Sequence, residues 1–363
     1  MALDKDVEQW LRVSLLPGLG DESFRRLLFA FGSPEQILAA GHGALSKLVP
    51  ARIASAIREG LAPEALAAVA DWLSDAANSI VTLGDTRYPR ALLEISDPPP
   101  LLYVKGRVDL LNLPALAIVG SRNATAQGAA LAESFAKALS DAGLTIVSGL
   151  ALGIDAAAHR GGLAGNARSI AVVGTGLDVV YPARNRALAH ELAAAGALVS
   201  EFPLGTGPLA GNFPRRNRLL SGLARGCLVI EAAARSGSLI TARLANEQGR
   251  EVFAVPGSIH SPLSKGCHLL IKQGAKLVED AQDILEELHM PSHVPAAAAA
   301  SAPPPAGAVQ QALLEHLGFD PCDIDTLSRR SGLTSDVVSS LLTQLEIEGI
   351  VAALPGGRYQ RVR

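Results

Sequence analysis

Residues 115–123 read Ala-Leu-Ala-Ile-Val-Gly-Ser-Arg-Asn, an apolar run that ends in a glycine followed by a hydroxyl and a guanidinium. The arrangement returns at residues 145–155, Thr-Ile-Val-Ser-Gly-Leu-Ala-Leu-Gly-Ile-Asp. Short apolar runs without alternation are typical of strands that are buried on both faces. From Ala115 to Leu288 such runs alternate with amphipathic helical segments, which indicates an α/β domain with a Rossmann-like, doubly wound and mostly parallel sheet.

Seven strands are predicted in this segment: Leu116–Val119, Thr145–Val147, Ile170–Val173, Leu198–Ser200, Leu228–Ile230, Val252–Val255 and Lys276–Val278. Two more, at Ile80–Leu83 and Leu101–Val104, are expected to extend the sheet. In an open parallel sheet the ligand binds beyond the carboxyl ends of the strands, where loops lead into helices. Those loops are therefore the first place to look for a function.

The first 78 residues lack β-branched runs and predict a small helical domain of the helix-hairpin-helix or SAM-like kind. The predicted helices are Lys5–Leu15, Ser23–Phe31, Pro34–Ala40, Ala44–Val49 and Pro63–Ala76. A glycine turn at residues 17–20, Pro-Gly-Leu-Gly, separates the first two helices. Such a turn can offer backbone N–H groups to a phosphate, but two packed helices need glycines there anyway, and we favour packing.

The proline- and alanine-rich segment 290–308 is typical of a linker, so the α/β domain is expected to span 79–289 and a third domain 309–363. Three helices followed by a hairpin around Pro355-Gly356-Gly357 predict a winged helix. Its third helix carries Asp336, Glu346 and Glu348 but no Lys or Arg, which disfavours a transcriptional regulator. We favour protein contact for this domain over DNA contact through Arg358, Arg361 and Arg363.

Composition limits the class of protein. The 363 residues are 48% hydrophobic, enough for a sizeable core, and the charged N-terminus does not resemble a signal peptide, so a soluble cytoplasmic protein is expected. Three widely spaced cysteines, Cys227, Cys267 and Cys322, indicate buried thiols rather than disulfides or a zinc site. We expect neither a metal nor a cofactor.

Charge is unevenly distributed along the chain. The net formal charge is −3, yet residues 179–278 contain twelve Lys or Arg against five Asp or Glu, a local charge of +7. Residues 202–230 contain four arginines and no acidic residue. An acidic protein that concentrates positive charge in one glycine-rich segment is suited to holding a polyanion at one surface.

Four glycine-rich loops follow the predicted strands. Gly120, Ser121 and Arg122 combine close backbone approach, a hydroxyl and a bidentate cation at a helix N-terminus, which is a pattern suited to phosphate. The other loops contribute Gly149, Gly153, Gly174, Gly176, Ser236, Gly237 and Ser238. Neither a nucleoside-triphosphate P-loop nor a dinucleotide GxGxxG spacing is present. Asp155 and His159 could form an acid/base pair, but a helix-start cap and a structural hydrogen bond are favoured.

Two segments place arginines beside an aromatic ring: Tyr181 precedes Arg184 and Arg186, and Phe213 precedes Arg215, Arg216, Asn217 and Arg218. We interpret the second as a loop after the fourth strand. Arginine on the backbone with an aromatic ring to stack an unpaired base suits single-stranded nucleic acid. Burial of Tyr181 and Phe213 in the core is the open alternative.

These motifs together resemble the DNA-processing protein A family, also called Smf, of bacterial natural transformation. The motifs are residues 118–122 (IVGSR), 148–159 (SGLALGIDAAAH), 174–182 (GTGLDVVYP), 213–218 (FPRRNR), 231–241 and 255–258 (VPGS). The resemblance implies a dimer that binds single-stranded DNA without sequence preference and loads the RecA recombinase onto incoming DNA, displacing single-strand binding protein. No catalytic residue is implied.

The resemblance also assigns residues. It implies a phosphate grip at Gly120, Ser121 and Arg122 and DNA contacts at Phe213, Arg216, Asn217 and Arg218. Some relatives have a lysine where Ala183 stands here, and Arg184 and Arg186 are candidates to replace it. The family's dimer and RecA surfaces point to residues 265–274, where Lys265 is also a phosphate candidate and His268, Leu269, Leu270 and Ile271 are interface candidates, although the three apolar residues could equally be core.

The alternative from another class is an enzyme that cleaves nucleoside monophosphates into base and ribose phosphate. Doubly wound proteins with that activity pair glycine-rich loops with a glutamate, for which Glu231 is the candidate here. The PGGxGT sequence expected beside that glutamate is absent, since Ala232-Ala233-Ala234-Arg235 stands there instead. We therefore place this alternative second.

Overall fold

A computed structural model of the protein describes residues 3–290 and 307–362. Six helices form the N-terminal part: α1 (Lys5–Ser14), α2 (Asp21–Phe31), α3 (Pro34–Ala39), α4 (His42–Leu45), α5 (Ala51–Glu59) and α6 (Pro63–Trp72). The prediction missed α5, which begins directly after Pro50 and ends directly before Gly60. Gly18, in the predicted glycine turn, has a φ of 84° and lies against the Arg52 side chain, as expected of a packing glycine.

The central sheet has nine strands: β1 (Asn78–Thr82), β2 (Leu101–Gly106), β3 (Ala115–Gly120), β4 (Thr145–Ser148), β5 (Ser169–Val172), β6 (Ala197–Ser200), β7 (Gly226–Ile230), β8 (Glu251–Ala254) and β9 (Lys276–Leu277). Their order is β1-β2-β6-β5-β4-β3-β7-β8-β9. Strands β3 to β9 are parallel, and β1 and β2 are antiparallel at one edge. The predicted Rossmann-like sheet is confirmed, with strand ends shifted by one or two residues.

The strand order positions the site. After β3 the chain builds the sheet outward through β4, β5 and β6, then returns to the other side of β3 to add β7, β8 and β9. The loops that follow β3 and β7 therefore lead away in opposite directions and leave a crevice between them. This switch point is where open α/β sheets bind their ligands.

Seven helices cover the sheet: α7 (Ala126–Asp141), α8 (Ile154–Ala164), α9 (Arg186–Ala195), α10 (Asn212–Leu223), α11 (Ser238–Glu247), α12 (Lys265–Lys272) and α13 (Ala281–Glu287). The interpretation of residues 212–218 as a loop was wrong, because they form the first two turns of α10. Pro214 suggested a loop but occupies the first turn of the helix, where the missing N–H costs no hydrogen bond.

The C-terminal part has the predicted three helices and hairpin: α14 (Ala308–Leu317), β10 (Cys322–Asp323), α15 (Ile324–Ser331), α16 (Ser335–Ile347), β11 (Val351–Leu354) and β12 (Arg358–Arg361). The two-residue strand β10 was not predicted, since only its pairing with β12 defines it. The buried Gln360 amide donates to Oε1 of Gln127 at 2.8 Å and so joins this part to α7.

Most of the predicted linker, residues 291–306, lies outside the described residues, and the domain boundaries at 78, 289 and 308 stay predictions. The three cysteines are free and buried, as predicted. In the described ranges, no helix combines the length and the hydrophobicity that a membrane crossing requires.

Candidate nucleic-acid interface

A pocket of about 690 Å³ opens at the switch point between the loops that follow β3 and β7. Helix α10 forms another wall of this pocket. The pocket brings together nine of the predicted site residues: Gly120, Ser121, Arg122, Phe213, Arg216, Asn217, Ser236, Gly237 and Ser238. Those nine come from three sequence segments that are far apart in the chain, and the sheet with helix α10 packed against it brings them together.

The first wall is the loop from Gly120 to Asn123. A Cβ at Gly120 would lie 1.9 Å from the carbonyl oxygen of Ile230, so only glycine lets β3 approach β7 this closely. The Ser121 hydroxyl accepts a hydrogen bond from the Asn123 amide at 3.1 Å and folds the loop back on itself. The exposed Arg122 guanidinium has no hydrogen bond or ion pair to any residue in the described ranges.

Helix α10 has two chemically different faces. The pocket face carries Phe213, Arg216, Asn217 and Leu220, whose spacing places them on one side of a helix. The two remaining arginines face an ion-pair network instead: Nη2 of Arg215 and Nη2 of Arg218 contact Oε2 of Glu201 at 3.2 and 2.7 Å, Arg218 Nε contacts Asp97 at 2.6 Å, and Arg215 Nη2 contacts Asp21 at 2.6 Å. Arg218 is buried outside the pocket, which corrects its assignment as a DNA contact.

Arg216 lies at the back of the pocket with only 5% of its surface exposed. Its Nη1 donates to the Val172 carbonyl, its buried Nε has no partner, and no carboxylate in the described part of the chain forms an ion pair with it. Burial lowers the pKa of Arg216 to about 10, so the guanidinium stays charged at neutral pH. The nearby Asp155 carboxyl offsets part of the cost of burying this cation, and a ligand anion would offset more.

The loop after β4 shapes the space around Arg216. The Asp155 carboxylate accepts hydrogen bonds from the Gly149 amide at 3.1 Å and the Ala151 amide at 3.4 Å. Asp155 therefore holds this loop rather than capping the helix start, which corrects the expected cap. Burial raises the pKa of Asp155, and the nearby Arg216 charge opposes that rise.

His159 is a structural residue. Ser169 donates its hydroxyl proton to the Ile146 carbonyl at 2.9 Å, so it accepts from Nδ1 of His159 at 2.8 Å, and Nε2 accepts from the Leu150 amide at 3.3 Å. This arrangement requires the neutral ring, and burial lowers the pKa of His159 to about 3. The favoured structural interpretation of His159 is confirmed, and it is not available as a general base.

The remaining predicted glycines do not line the pocket. Gly149 lies against the Arg216 guanidinium, and a Cβ on Gly153, whose φ is 76°, would lie 2.2 Å from the Ser121 carbonyl oxygen. A Cβ on Gly174 would touch the Phe213 ring at 3.0 Å, and one on Gly176 would lie 2.6 Å from Asp178. These four glycines permit close packing behind the pocket and do not contact its interior.

The two aromatic rings pack on each other at the pocket wall. The centroids of Tyr181 and Phe213 are 5.5 Å apart, with the rings tilted by 41°. Both rings line the pocket, and neither lies in the buried core, so the structure favours the exposed interpretation. Arg184 and Arg186 are exposed but lie outside the pocket lining.

The third group of pocket residues is the N-terminal turn of α11. The hydroxyls of Ser236 and Ser238 are 2.7 Å apart, and Thr241 adds a third hydroxyl one turn later. Sequence reasoning did not select Thr241, although its spacing from Ser238 on one helix was a usable signal. It also missed Pro208 and Ala210, which line the pocket from the loop before α10, and Leu263, which lines it from a short 3-10 helix.

Family models match two parts of the chain. The model described as DNA recombination-mediator protein A matches residues 79–289, and the one described as the DprA winged helix domain matches residues 296–357. The chain belongs to the DNA recombination-mediator protein A family. The resemblance inferred from the motifs is thereby confirmed, and so is the winged-helix domain.

Members of the family from other bacteria are similar to this chain in sequence and in structure. Protein Smf of Escherichia coli is 45% identical over 298 residues, which are 80% of this chain and 79% of that protein. The X-ray structure of DNA processing protein A from Streptococcus pneumoniae superposes with a TM-score of 0.69 at 39% identity, covering 79% of this chain and 99% of the other. A Helicobacter pylori structure, described as showing the single-stranded DNA binding mode of its DNA processing protein A, has a TM-score of 0.53 at 31% identity, covering 58% of this chain and 95% of the other.

The interface candidates of the family lie on and beside α12. Leu270 is only 8% exposed and packs in the core of the α/β domain, which corrects its assignment as an interface residue. Leu269 is 40% exposed and Ile271 is half-buried. His268 Nε2 lies 3.0 Å from the Gly257 carbonyl oxygen, and Lys265 Nζ donates to the Ile259 carbonyl outside the pocket.

Both carboxylate oxygens of Glu231, the glutamate of the enzyme alternative, accept hydrogen bonds from Thr125. Oε2 accepts the Thr125 amide at 2.9 Å and Oε1 accepts the Thr125 hydroxyl at 2.5 Å. Glu231 lines a separate cleft of about 260 Å³ rather than the pocket. Within the described ranges no group of three or more His, Cys, Asp or Glu side chains is arranged to hold a metal ion.

Arginines of the wing differ in their surroundings. The Arg361 guanidinium lies 5.0 Å from the centroid of the Phe319 ring, while Arg358 is exposed. Arg363, the third residue of the expected DNA contact, lies outside the described residues. Which partner this domain contacts stays a prediction.

Proposed function

We propose that the chain is a non-enzymatic, single-stranded DNA-binding recombination mediator that grips the sugar-phosphate backbone in the switch-point pocket. The observation that carries the proposal is the pair of arginines there: Arg216 is buried and Arg122 is exposed, and within the described ranges neither forms an ion pair, although Asp155 lies near both. Two arginines that form no ion pair, with the buried Asp155 as a nearby carboxyl in the same pocket, leave net positive charge there that is suited to a phosphodiester. The hydroxyls of Ser121, Ser236 and Ser238 add donors for phosphate oxygens.

The aromatic pair favours an unpaired strand as the ligand. In a duplex each base face is stacked on its neighbours and is not available to a side chain. A single strand can place a base on the Tyr181 and Phe213 rings while its phosphates meet the arginines. Because every base has such a face, the proposed binding is independent of sequence. The Helicobacter pylori relative, whose structure is described as showing a single-stranded DNA binding mode, supports this choice.

We further propose that the protein acts as a dimer that protects incoming DNA during natural transformation, loads RecA onto it and displaces single-strand binding protein. Family membership supports this role. With Leu270 excluded, the candidate contact surface consists of His268, Leu269 and Ile271. The proposed function requires a cytoplasmic protein, as the sequence predicts.

A competition experiment tests the class of ligand. A labelled oligo-dT is bound by the protein, and unlabelled single strands of other sequence, a matched duplex and nucleoside monophosphates are added in turn. We expect the single strands to compete equally and the duplex and monophosphates to compete weakly. Release of free base from a monophosphate, or equal competition by the duplex, would contradict the proposal. Assembly of RecA on DNA coated with single-strand binding protein, with and without the chain, tests the loading role.

A further inference from the structure

Strands β3 and β7 end side by side, and the side chain of Glu231 joins the two segments that leave them. Gly120 is paired with Ile230, so the loop carrying Arg122 leaves β3 where Glu231 leaves β7. Glu231 has a φ of 53°, in the left-handed region that non-glycine residues rarely adopt. Such a conformation persists only where the surrounding contacts fix it.

The contacts that fix Glu231 are at the N-terminus of α7. Both carboxylate oxygens accept hydrogen bonds from Thr125, one from its amide and one from its hydroxyl. The same hydroxyl accepts the Gly128 amide at 2.9 Å, which makes Thr125 the N-cap of α7. The carboxylate thus closes a bridge from the end of β7 to the first turn of the helix after β3.

Gly128 leaves space for this bridge. A Cβ at residue 128 would lie 2.3 Å from the carboxylate carbon of Glu231 and 2.5 and 2.6 Å from its oxygens. The φ of Gly128 is not positive, so the backbone itself does not require glycine. The missing side chain is explained by the position of the Glu231 carboxylate.

The bridge decides where a phosphate can bind. The N-terminus of a helix after a strand attracts anions through its free N–H groups and its dipole. At α7 the chain supplies that anion itself, so a ligand phosphate is left to the Arg122 side of the loop. Thr125 is three residues beyond Arg122, so the bridge fixes one end of the loop while Gly120 fixes the other.

We propose that Glu231 is a positioning residue for DNA binding: its carboxylate occupies the N-terminus of α7 and holds the Arg122 loop in the geometry that grips a phosphate. Glu231 itself does not touch the ligand. The inference rests on the proposed single-strand-binding function and adds a residue that lies outside the pocket.

Two matched substitutions test the bridge. Glu231→Gln keeps the size of the side chain but has one acceptor oxygen in place of two and no charge, so it cannot accept from both the amide and the hydroxyl of Thr125. Thr125→Val removes the hydroxyl at constant shape, whereas Thr125→Ser keeps it and is the conservative control. We expect Glu231→Gln and Thr125→Val each to weaken oligo-dT binding about tenfold, and Thr125→Ser to bind like the wild type. Thermal melts of each variant establish that it is folded.

A double-mutant cycle separates positioning from general stability. If Glu231 acts through Arg122, Glu231→Gln should cost less than about twofold in an Arg122→Ala background, because the contact it positions is already gone. The salt slope should also fall by about 0.7 in Glu231→Gln, as for loss of one phosphate contact on a single strand. A purely structural role would change the melting temperature and leave the salt slope unchanged.

The outcomes distinguish this inference from the proposed function. Wild-type affinity in both Glu231→Gln and Thr125→Val, with binding still weakened about tenfold in Arg122→Ala, overturns the positioning role alone. The positioning role is overturned as well if Glu231→Gln still weakens oligo-dT binding about tenfold in the Arg122→Ala background. Absence of oligo-dT binding by the wild type overturns the proposed function itself. If Glu231→Gln does not fold, the comparison of Thr125→Val with Thr125→Ser decides the matter.

Discussion

The Arg216 guanidinium occupies the space that a side chain on Gly149 would fill: a Cβ there would lie 2.4 Å from Nη1 and 2.7 Å from Nη2. A loop glycine after β4 and an arginine on α10 are therefore matched across the back of the pocket. Helix α10 connects β6 to β7, which lie on opposite sides of β5, β4 and β3. It therefore packs against these three strands, and Arg216 reaches the loop that follows β4.

Gly149→Ala is expected to displace the Arg216 side chain. Forcing a methyl group into this packed site should destabilise the protein by about 1–3 kcal/mol and weaken oligo-dT binding about tenfold. Chemical denaturation and fluorescence anisotropy measure the two effects. Gly43→Ala is the control, because a Cβ at Gly43 meets no atom within 4 Å: it should leave DNA binding unchanged and, as a helical Gly→Ala exchange, raise stability by up to about 1 kcal/mol. Unchanged binding by Gly149→Ala would show that Arg216 is not part of the grip.

Arg216→Met should separate binding from stability. The substitution keeps much of the side-chain volume and removes a buried charge that forms no ion pair in the described chain, while the neighbouring Asp155, whose pKa burial already raises, can take up a proton. We expect the free energy of unfolding to stay within about 1 kcal/mol of the wild type, or to rise, while oligo-dT affinity falls about tenfold or more. A variant that is less stable by several kcal/mol yet binds normally would indicate that the Arg216 charge serves folding.

Arg218→Met is expected to lower the stability of the protein and to leave DNA binding unchanged. The Arg218 side chain lies in the network with Glu201 and Asp97, and its loss leaves the Glu201 carboxylate, which is 8% exposed, with the half-exposed Arg215 alone. Removing one member of a buried ion pair costs about 3–5 kcal/mol. Urea unfolding should show that loss, and the salt slope of DNA binding should match the wild type. A reduced slope would mean that Arg218 contacts DNA after all.

The titration of His159 should make the free energy of unfolding decrease as the pH falls. Its folded-state pKa of about 3 lies below the unfolded value near 6.5, so the unfolded chain binds the proton more readily. The stability conferred by the neutral ring is complete above pH 6.5 and is lost as the pH falls toward 3, by at most about 1.4 kcal/mol per pH unit. Burial raises the pKa of Asp155 and Glu201, and protonation of these carboxylates acts in the opposite direction.

A comparison of the wild type with His159→Gln isolates the contribution of His159 to the pH dependence of stability. His159→Gln lacks the titrating ring but keeps all other groups, so its free energy of unfolding should fall less steeply than that of the wild type between pH 6.5 and 4. Denaturation at a series of pH values measures both curves. Parallel curves would mean that His159 does not titrate between the folded and unfolded states.

Much of the architecture followed from local pattern. Apolar runs such as Leu116–Val119 gave the strands, and glycines at their ends marked the loops of the switch point. Helix α10 was misread because Pro214 is a loop signal in isolation, and its place in the first turn depends on where the helix begins. Local sequence does not report that position directly.

The arginines show what sequence could not decide. Arg216 and Arg218 are two residues apart in one motif, yet one lines the pocket and the other lies in an ion-pair network. The difference depends on Glu201 and Asp97, which only the folded chain brings near α10. Likewise Leu269 and Leu270 are identical in type, and only packing distinguishes the exposed one from the core one.

The most direct test of the central claim is fluorescence anisotropy of labelled oligo-dT across a salt series with the wild type, Arg122→Ala and Arg58→Ala. Arg58 is an exposed arginine on α5, so its removal matches the charge change away from the pocket. We predict about tenfold weaker binding and a salt slope reduced by about 0.7 for Arg122→Ala, with Arg58→Ala like the wild type. Equal binding by all three proteins would contradict a single-strand grip in the switch-point pocket.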